Sequence, residues 1–564
     1  MEFLDFKTAQ CKDCFKCLHE CPVKAIRYEN HQAKIIDERC ILCGRCTVVC
    51  PQNAKSVHSD VDKVEEMILS GEKVVVSVAP SFIASFGLTS FTQMESALKK
   101  LGFFFAEETA VGAREVTEEY KRLLEEGKYE NFITSACPAI NKMIQIYYPQ
   151  ALKFLAPVAS PMVAHAEMLK KSFPDAKIIF VGPCIAKKRE AKESGIIDAV
   201  LTFEELQTLF TKKNIDPKAE IGVIEGEELG VNVARYYPIN RGIIKSFVGR
   251  PENYEYVAVD GVGRSFEVLE DIEHFSGLFI EINCCEYACI NGPCSIATEG
   301  GAIKANESVR KYVKNSVNKP EHRKKIELDL TEKHPYIGTS AGTPCERDIK
   351  AVLARTGKNK PEDELNCGAC GYATCRDKAI AVLRGYADVE MCLPYMRTRA
   401  ESMSYEIIQN SPYGIIVLDN DLKIIEYNSS VRSLLSIEER DAKGCYAYDC
   451  FDASEFVIAQ SAKNSVTKKK IRFERSGRYA DATIVRVDAQ KIMFGIFRDI
   501  TDSVQYGQKI DEMKRETFVT TDEVIKKQMR VAQEIASLLG ETTAETKVAL
   551  LKLKKTLQAT EGED

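Results

Sequence analysis

The sequence predicts a multidomain protein of mixed α/β and α+β architecture. The chain has 564 residues, which is too long for one hydrophobic core, and this length predicts roughly four domains. Between residues 72 and 330, β-rich runs such as KVVVSVAP and AKIIFVGP alternate with helical stretches such as FTQMESALKK, a pattern typical of α/β folds. The 21 cysteines lie in tight clusters. In a reducing cytosol, clustered cysteines are more typical of metal ligands than of disulfides.

The composition excludes several classes of protein. Hydrophobic residues make up 45% of the chain and charged residues 28%, and the net charge is −6 at pH 7. This balance is ordinary for a globular protein and predicts no nucleic-acid partner. No apolar run approaches the ~20 residues that cross a bilayer, and the first residues, MEFLDFKTAQ, lack the apolar core of a signal peptide. We therefore expect a cytoplasmic protein with no membrane partner.

Five segments follow one another along the chain. The first holds eight cysteines, the second alternates strands and helices, and the third holds four more clustered cysteines. The fourth contains strand-like runs such as GIIVLDNDLKIIEYN, and the fifth is polar and helical. The predicted domain boundaries are 1–60, 72–330, 345–400, 405–504 and 505–564.

The first segment contains an internal repeat of four cysteines, each copy ending in Cys-Pro. Short spacing lets one loop supply three ligands of a cubane, and the fourth ligand then comes from the other copy. We expect one [4Fe–4S] cluster on Cys11, Cys14, Cys17 and Cys50, and a second on Cys40, Cys43, Cys46 and Cys21. Zinc or a disulfide scaffold is the alternative, which the doubled run and its two prolines disfavour. The repeat resembles the bacterial two-cluster ferredoxin, and this resemblance implies a ferredoxin-like domain that transfers electrons.

Three cysteine motifs lie far apart in the second segment. The first two follow β-rich runs, so their cysteines should lie at strand ends, where cofactors bind in open α/β sheets. Four cysteines that converge there can hold another cubane. The motifs are Thr134-Ser135-Ala136-Cys137-Pro138, then Gly182-Pro183-Cys184 followed by Lys187 and Glu190, and finally Glu281, Cys285, Cys289, Asn291 and Gly292.

These motifs, with the VAPS run at residues 78–81, resemble the catalytic domain of the [FeFe] hydrogenases over about residues 72–300. The resemblance implies an α/β H-cluster domain whose substrates are H₂ and protons. It assigns a cubane to Cys137, Cys184, Cys285 and Cys289. It also makes Cys289 the bridge to a diiron subcluster that carries CO, cyanide and dithiolate ligands.

The same resemblance assigns cofactor-binding roles to neighbouring residues. Lys187 matches the family's lysine three positions after the second-motif cysteine, and an ammonium beside a cyanide ligand forms a charge-assisted hydrogen bond. Pro80 and Ser81 belong to the VAPS run, and Ser81 is expected to donate to the other cyanide. The alternative for Lys187 is an ordinary surface lysine.

Departures from the family pattern fall on its proton relay. Family members with fast turnover carry a relaying cysteine at the position of Ala136, and the relay continues through two glutamates and a serine. Glu119 fits the first glutamate, but the second falls at Arg122 and the serine at Ala156. Three of the four positions therefore cannot relay a proton, and a lost positioned acid or base costs roughly 10²–10⁴ in rate. We expect slow turnover.

Three further departures lie next to the predicted ligands. The family usually has methionine at the positions of Gly182 and Asn283, and alanine at the position of Cys284. These changes should alter packing and polarity around the diiron unit and hence its reduction potential.

The third segment carries the run NCGACGYATC and then MCLP. It resembles the small four-cysteine [4Fe–4S] domain of several anaerobic metalloproteins, and zinc is the alternative because C-x₂-C pairs also suit that metal. The expected ligands of this fourth cluster are Cys367, Cys370, Cys375 and Cys392. The cysteines without an assignment are expected to be small buried residues: Cys294, Cys345, Cys445 and Cys450.

The last two segments suggest signalling. Residues 405–504 resemble a PAS domain, with a short helix, paired strands near Asp419 and Asn428, and a three-strand run that ends in RDIT. Residues 505–564 contain no histidine, so the chain offers no phosphoacceptor histidine there. Their apolar residues lie near heptad spacing, which is compatible with a coiled coil or with an amphipathic packing helix. We expect a homodimer through the PAS domain or the C-terminal helices.

The leading hypothesis is a hydrogen-sensing [FeFe] hydrogenase homologue that turns over slowly and signals through its clusters and PAS domain to a redox partner or a separate effector protein. Two rivals remain open. One is a catalytic hydrogenase with a rerouted proton path, for which Glu119 and Cys284 are the supporting residues. The other is an iron–sulfur electron carrier or assembly scaffold that never receives the diiron unit.

Overall fold

A computed structural model describes most of the chain. The residues outside the description are 1–2, 8–9, 13, 30–31, 224–226, 317, 320–326, 339–343, 438–441, 462–465, 488–490, 540–542 and 560–564. The described residues form two compact units, 1–395 and 396–564, which are treated separately below.

The N-terminal part of the first unit contains two small antiparallel sheets and two short helices. Strand β1 (Leu4–Phe6) pairs with β4 (Lys55–Val57), and β2 (Ile26–Glu29) pairs with β3 (Gln32–Ile35). Each repeat of the cysteine run leads into one helix. These helices are α1 (Lys16–Glu20) and α2 (Arg45–Val48).

The central part is built on parallel strands, as the alternating pattern predicted. One sheet has the order β6-β5-β8-β9, a second has the order β11-β12-β7, and β10 pairs with β13. Strand β5 reads VVVSV and is buried throughout, as expected for a parallel strand covered on both faces. The strands are β5 (Val74–Val78), β6 (Phe105–Glu108), β7 (Phe132–Ile133), β8 (Lys177–Gly182), β9 (Ala199–Thr202), β10 (Glu227–Glu228), β11 (Glu255–Asp260), β12 (Leu278–Asn283) and β13 (Asn318–Lys319).

Twelve helices accompany these strands within the described residues. Several begin at a residue type that caps helices; Thr202, for example, accepts a hydrogen bond from the backbone of Glu205 at 3.1 Å. The helices are α3 (Val61–Leu69), α4 (Phe82–Ser85), α5 (Phe91–Leu101), α6 (Ala110–Glu125), α7 (Pro138–Tyr147), α8 (Pro161–Ser172), α9 (Ala186–Ser194), α10 (Phe203–Lys212), α11 (Leu229–Ala234), α12 (Gly242–Ser246), α13 (Val262–Glu270) and α14 (Gly301–Asn315).

The four-cysteine segment adds α15 (Glu346–Arg355) and α16 (Cys375–Leu383), and α17 (Leu393–Gln409) begins directly after Cys392. One hydrophobic core contains residues from all three cysteine-bearing segments, among them Leu18, Ile140 and Tyr372. The N-terminal, central and four-cysteine segments therefore fold against one another.

The second unit contains a five-stranded antiparallel sheet with the order β15-β14-β18-β17-β16. This order and the flanking helices agree with the PAS-like pattern, and the predicted α/β and α+β class is confirmed. The strands are β14 (Gly414–Asp419), β15 (Ile424–Tyr427), β16 (Val466–Arg472), β17 (Tyr479–Val487) and β18 (Ile492–Asp499). The helices are α18 (Ser429–Leu435), α19 (Ala447–Cys450), α20 (Ser454–Ser461), α21 (Thr501–Leu539) and α22 (Thr543–Ala559).

Aromatic rings fill the core of this second unit. Phe456 packs edge-on against Phe451 and Phe497, and Phe473 packs against Phe497. A Cβ atom at Gly495 would lie 2.6 Å from the ring of Phe456, so only glycine leaves room for that ring. On α21, by contrast, the apolar side chains near heptad spacing are exposed: Ile510, Met513, Val524, Val531 and Ile535.

Among the described residues, no helix combines the length and the apolar character needed to cross a bilayer.

Candidate metal centre

The central cysteines lie beyond the carboxyl ends of parallel strands. Cys137 follows β7, Cys184 follows β8, and Cys285 follows β12, while Cys289 lies in a short 3₁₀ turn at Ala288–Asn291. Strand ends of this kind form the usual ligand-binding edge of a parallel sheet. The first two motifs therefore have the placement that the β-rich runs predicted.

Hydrogen bonds hold the loop that carries Cys137. This residue is the N-cap of α7, with Pro138 at the first helical position. Asn141 donates to the carbonyl of Ser135 at 2.7 Å, and the Ser135 hydroxyl lies 3.0 Å from that of Tyr120. All the side chains in these contacts are buried, so the loop is rigid at the point where it presents its thiol.

The four central thiols lie within electrostatic range of one another. Burial raises the pKa of Cys285, and the neighbouring thiolates of Cys184, Cys289 and Cys137 raise it further. Burial and the same kind of crowding raise the pKa of Cys184 to about 11 and that of Cys289 to about 12. Thiolates this crowded require a positive partner, and multivalent metal ions supply that charge.

Lys187 points into the same region and is largely buried. Its Nζ donates to Glu190 Oε2 at 2.6 Å, to Ser160 Oγ at 2.9 Å and to the carbonyl of Ala136 at 3.4 Å. Burial lowers the pKa of Lys187, but Glu190 and the thiolates outweigh that effect and leave the pKa raised. Lys187 is therefore a cation fixed by three hydrogen bonds beside the cysteines, and not a surface lysine.

Ser81 is the second residue expected to contact a diiron unit. It follows the buried Pro80, is 1% exposed, and its hydroxyl has no hydrogen-bond partner within the described part of the chain. A buried hydroxyl without a partner costs free energy unless a ligand satisfies it. The orphaned Ser81 hydroxyl, the Lys187 ammonium and the four thiols together fit a diiron unit with cyanide ligands.

The residues at the family's proton-relay positions do not form a continuous path for protons. Arg122 holds Glu119 in a two-point ion pair, with nitrogen–oxygen distances of 2.6 and 2.9 Å, and also contacts Glu126. Ala156 is fully buried, and Ala136 presents a methyl group and a carbonyl. An arginine stays protonated at any physiological pH. A proton that reached Glu119 would therefore find no acceptor at position 122.

One of the remaining departures, at Gly182, has a structural explanation. A Cβ atom at Gly182 would lie 2.7 Å from the ring of Phe180, so the phenylalanine takes the space that a larger side chain would need. Asn283 is buried at the end of β12. It therefore brings a polar amide into a position that is apolar in the family.

Cys284 is buried, and the nearby thiol of Cys43 raises its pKa. Gly44 has φ +75°, and a Cβ atom there would lie 2.5 Å from Pro293. The loop of the second N-terminal cluster therefore packs directly on the loop that carries Cys289.

Seven of the eight N-terminal cysteines lie in two groups. One cavity is lined by Cys21, Cys40, Cys43 and Cys46. Burial raises the pKa of Cys17, which Cys50 and Cys14 raise further, so these three also lie close together. The ammonium of the buried Lys55 lies 3.3 Å from Cys17 Sγ.

The cysteines of the four-cysteine segment also lie together. Cys367, Cys370, Cys375 and Cys392 line one cavity. Within the described residues, no three histidine, cysteine, aspartate or glutamate side chains come close enough together to hold a single metal ion. A cubane places its own irons and sulfides between the ligand sulfurs and so needs wider spacing. The ligand sets remain predictions.

The four cysteines without an assigned role differ in exposure, and Cys450 is intermediate. Cys294 is 1% exposed, as expected of a small buried residue. The expectation of burial was wrong for Cys345 and Cys445, which are exposed. Cys345 precedes α15 and hydrogen-bonds to Asp348 at 3.1 Å; its place at a helix start, where polar residues are preferred, explains its exposure.

Sequence reasoning missed the lysines that contact ligand cysteines. Lys55 and Lys358 each place an ammonium 3.3 Å from a ligand sulfur, and Lys378 is buried nearby. Nothing in the local sequence distinguishes these residues from surface lysines, because their burial depends on tertiary packing.

Comparison with known proteins agrees with this geometry. Residues 72–248 match the family model for the C-terminal domain of the iron-only hydrogenase large subunit. Residues 10–59 match a 4Fe-4S dicluster domain, and residues 363–394 match a putative Fe-S cluster domain. The central segment of the chain therefore belongs to the [FeFe] hydrogenase family.

Among curated relatives, iron hydrogenase 1 of Clostridium pasteurianum is 28% identical over 50% of this chain and 63% of its own length. The periplasmic [Fe] hydrogenase large subunit of Nitratidesulfovibrio vulgaris is 29% identical over 46% of this chain and 73% of its own length. The chain thus covers less than two thirds of the first of these relatives.

Solved structures with a similar fold include the [FeFe]-hydrogenase of Chlamydomonas reinhardtii, with a TM-score of 0.37 and 16% identity over 50% of this chain and 93% of that one. They also include a PAS domain from Haloarcula marismortui, with a TM-score of 0.16 and 24% identity over 18% of this chain and 99% of that one. The family assignment rests on the family model and the sequence relatives.

Proposed function

We propose that the protein is a hydrogen sensor: it binds H₂ at a diiron site, turns it over slowly, and passes the resulting electrons toward its PAS domain. The observation that carries the proposal is a preserved cofactor pocket beside an interrupted proton relay. Ser81, Lys187 and the central cysteines retain the family's cofactor-facing groups. Ala136, Arg122 and Ala156 do not retain the family's proton-carrying groups.

When bound, the diiron unit would supply H₂ cleavage, H₂ ⇌ 2H⁺ + 2e⁻. The chain's own residues hold that unit in place. Cys289 is proposed to bridge it to the cubane, Lys187 to hold one cyanide, and Ser81 to donate to the other. The ion pair between Lys187 and Glu190 fixes the ammonium in position, which pre-organises the pocket before the cofactor arrives.

Protons leave such a site only through groups that donate and accept. At Ala136 the chain offers a methyl group, and the carboxylate of Glu119 is bound by Arg122. Each gap of this kind slows proton transfer by roughly 10²–10⁴. Slow turnover lets the site follow the ambient hydrogen concentration without depleting it, which suits a sensor.

Electrons have a packed route out of the site. The contact between Cys284 and Cys43 joins the central site to the second N-terminal cluster. Lys24 lies within electrostatic range of both Cys21 and Cys370, which places the four-cysteine segment next to that same cluster. Four [4Fe–4S] clusters are proposed in all, and the route ends at Cys392, where α17 begins.

The five predicted domains are part of this proposal: 1–60, 72–330, 345–400, 405–504 and 505–564. The filled aromatic core of the PAS-like sheet supports a role in relay and dimerisation. The exposed apolar side chains of α21 support a homodimer through the C-terminal helices. The effector is proposed to be a separate protein, and the reducing cytoplasm is the compartment that suits so many thiolate ligands.

Infrared spectroscopy of the full chain, matured anaerobically, tests the diiron site. The parent should show bands from CO and cyanide. Cys289→Ala should lose these bands while keeping its N-terminal clusters, because only Cys289 is proposed to bridge the two metal units. Cys294→Ala, which removes a buried cysteine without a proposed ligand role, is the matched control. A parent without the bands would favour the electron-carrier alternative, and bands retained in Cys289→Ala would overturn the ligand assignment.

One observation favours the rival with a rerouted proton path. Burial raises the pKa of Glu332 to about 7, Glu190 raises it further and Lys187 opposes the rise. Glu332 is partly exposed, so a carboxyl whose pKa lies near neutrality is both accessible to solvent and within electrostatic range of Lys187. If Glu332→Gln lowers hydrogen turnover at least tenfold, the chain is a hydrogenase with a new proton outlet. If turnover is unchanged, this rival loses its support.

A further inference from the structure

Two buried lysines at the four-cysteine segment form no ion pair with a carboxylate. Lys358 is 8% exposed and Lys378 is 5% exposed. Within the described residues, neither lies within ion-pair distance of an aspartate or glutamate. Burying an ammonium without an anion is costly. The negative charge near these cations comes from the segment itself, from its cysteines and, for Lys378, also from Asp388.

The contacts of the two lysines show where that charge lies. The ammonium of Lys358 donates to Cys392 Sγ at 3.3 Å and to the hydroxyl and carbonyl of Thr356 at 3.1 and 3.2 Å. The ammonium of Lys378 donates to the carbonyl of Val389 at 2.8 Å and lies within electrostatic range of Cys392 and Cys370. Both ammonium groups thus lie near the sulfur of Cys392, and that of Lys358 donates to it.

The second N-terminal cluster has a different environment. Backbone amides donate to two of its ligand sulfurs, Ala25 to Cys21 at 3.2 Å and Leu42 to Cys40 at 3.4 Å. Its neighbouring Arg45 is exposed and paired with Glu20 at 2.8 Å. Lys55 and Arg189 lie within electrostatic range of Cys46 and Cys40, but they donate to Cys17 of the first cluster and to the backbone carbonyl of Cys40. A solvent-screened, paired cation affects a cluster less than a buried one that donates to a ligand sulfur.

The four-cysteine segment lies next to the site of the second N-terminal cluster. Gly371 has φ +84°, and a Cβ atom there would collide with Leu18 on α1. Arg39 lies over the ring of Tyr386, 4.7 Å from its centroid. The loop that carries Cys370 therefore packs on the helix that leads to Cys21, so clusters held at these two sites would be neighbours.

We propose that Lys358, supported by Lys378, raises the reduction potential of the fourth cluster above that of the second N-terminal cluster, so that electrons collect at the start of α17. The step is [4Fe–4S]²⁺ + e⁻ → [4Fe–4S]⁺, which adds one negative charge and breaks no bond. A buried cation that donates to a ligand sulfur stabilises the reduced, more negative state. The proposed sensor function supplies the source of the electrons; the order of potentials stands independently of hydrogen.

A redox titration of the reconstituted full chain tests the proposal. The titration uses chemical mediators and dithionite, without hydrogen, and follows the clusters by electron paramagnetic resonance. Cys392→Ala identifies the signal of the fourth cluster by its loss. In the parent, this cluster should be reduced at a higher potential than the cluster on Cys21, Cys40, Cys43 and Cys46.

The lysine variants make the test specific. Lys358→Met should change the ratio of reduced to oxidised fourth cluster at a fixed potential by about tenfold toward the oxidised form, which is about 59 mV for one electron. Lys358→Arg, which keeps the charge, should retain most of the parent's potential. Lys350→Gln removes an exposed cation from α15 and is the matched control.

Several results would overturn the proposal. A fourth cluster that is reduced at a lower potential than the second cluster contradicts it. So does an equal shift in Lys358→Met and Lys350→Gln, or no shift in Lys358→Met. If Lys358→Met loses its cluster, Lys378→Met with the same titration replaces it, and an unchanged potential there counts against the proposal. None of these outcomes depends on whether the diiron site binds hydrogen.

Discussion

A buried carboxyl, that of Glu281, fixes the backbone of the central domain near the cysteines. Glu281 is fully buried, and its carboxylate accepts hydrogen bonds from the backbone amides of Gly242 at 3.0 Å and Ile244 at 2.9 Å. These bonds favour the anion, but burial outweighs them and raises the pKa of Glu281 to about 7. Glu281 thus fixes the start of α12 and carries a proton at mildly acidic pH.

The raised pKa of Glu281 predicts a pH-dependent stability. Its ordinary pKa is 4.5, so between about pH 4.5 and 7 the folded state binds a proton that the unfolded state has lost. The free energy of unfolding should therefore fall as the pH rises through this window, by about 3 kcal/mol in the limit. Relative to the parent, Glu281→Gln should be more stable at pH 8 than at pH 5 by that amount.

Chemical denaturation under anaerobic conditions at the two pH values measures this difference. Replacing the carboxylate also disturbs its two hydrogen bonds, but that cost is the same at both pH values. Glu267→Gln, on the exposed face of α13, is the control and should show no pH-dependent difference. A constant offset between the parent and Glu281→Gln would show that Glu281 does not titrate in this range.

Residue chemistry that depends on spacing could be predicted from the sequence, and chemistry that depends on packing could not. The repeated cysteine runs predicted groups that line common cavities, because four thiols at short intervals leave few other arrangements. Lys358 lies in the stretch TGKNKPED, which gives no sign that its ammonium is buried against Cys392. The same limit explains the wrong expectation for Cys345, whose exposure follows from the helix that begins beside it.

At the scale of elements, helix α17 is the connection that the proposed signal requires. It begins after the ligand Cys392 and ends at Gln409. The buried Asn428 accepts hydrogen bonds from Ile415 and Val431 and donates to the carbonyls of Ile408 and Tyr413, all within 2.8–3.0 Å. One amide therefore ties the end of α17 to β14 and to α18.

Asn428→Ala should release the end of α17 from the sheet. The loss of four buried hydrogen bonds should lower the free energy of unfolding of the second unit by about 3 kcal/mol. Backbone amides near Ile408 should then exchange with deuterium faster, while iron content stays unchanged. Asn420→Ala, at an exposed position, is the control. Unchanged exchange near Ile408 would mean that Asn428 does not hold this helix.

The elements themselves differ in how well the sequence predicts them. Strand β5 and the PAS-like strands follow clear apolar runs or alternation, and their existence was predicted. The pair β10 and β13 has two residues in each strand, too few for any period to appear. Asn428 served in the sequence only to mark a strand boundary, because its four partners are set by the fold.

At the scale of the whole molecule, the cysteine-bearing segments form one unit with a shared core. Lys188 adds to this unity: its buried ammonium contacts Asp60 at 2.9 Å, Glu205 at 3.2 Å and the carbonyl of Val200 at 2.7 Å. The segment that follows the N-terminal clusters is thus tied to the central sheet. Such packing keeps the proposed clusters at fixed separations.

Iron content tests the proposed number of clusters. Four cubanes predict about sixteen irons per chain after anaerobic reconstitution, and a diiron unit adds about two. Iron and zinc are measured together by elemental analysis of the same sample. About twelve irons with one zinc would assign zinc to the four-cysteine segment.

The rate of hydrogen uptake by the anaerobically matured full chain tests the central claim most directly. The parent should turn over slowly, and Ala136→Cys should raise the rate only slightly, because Arg122 and Ala156 still interrupt the relay. A variant that also carries Arg122→Glu and Ala156→Ser should gain more than the separate gains combined, as expected of residues that act as a unit. A parent that already works at hundreds of turnovers per second, as good redox enzymes do, would contradict the interrupted relay and with it the sensor.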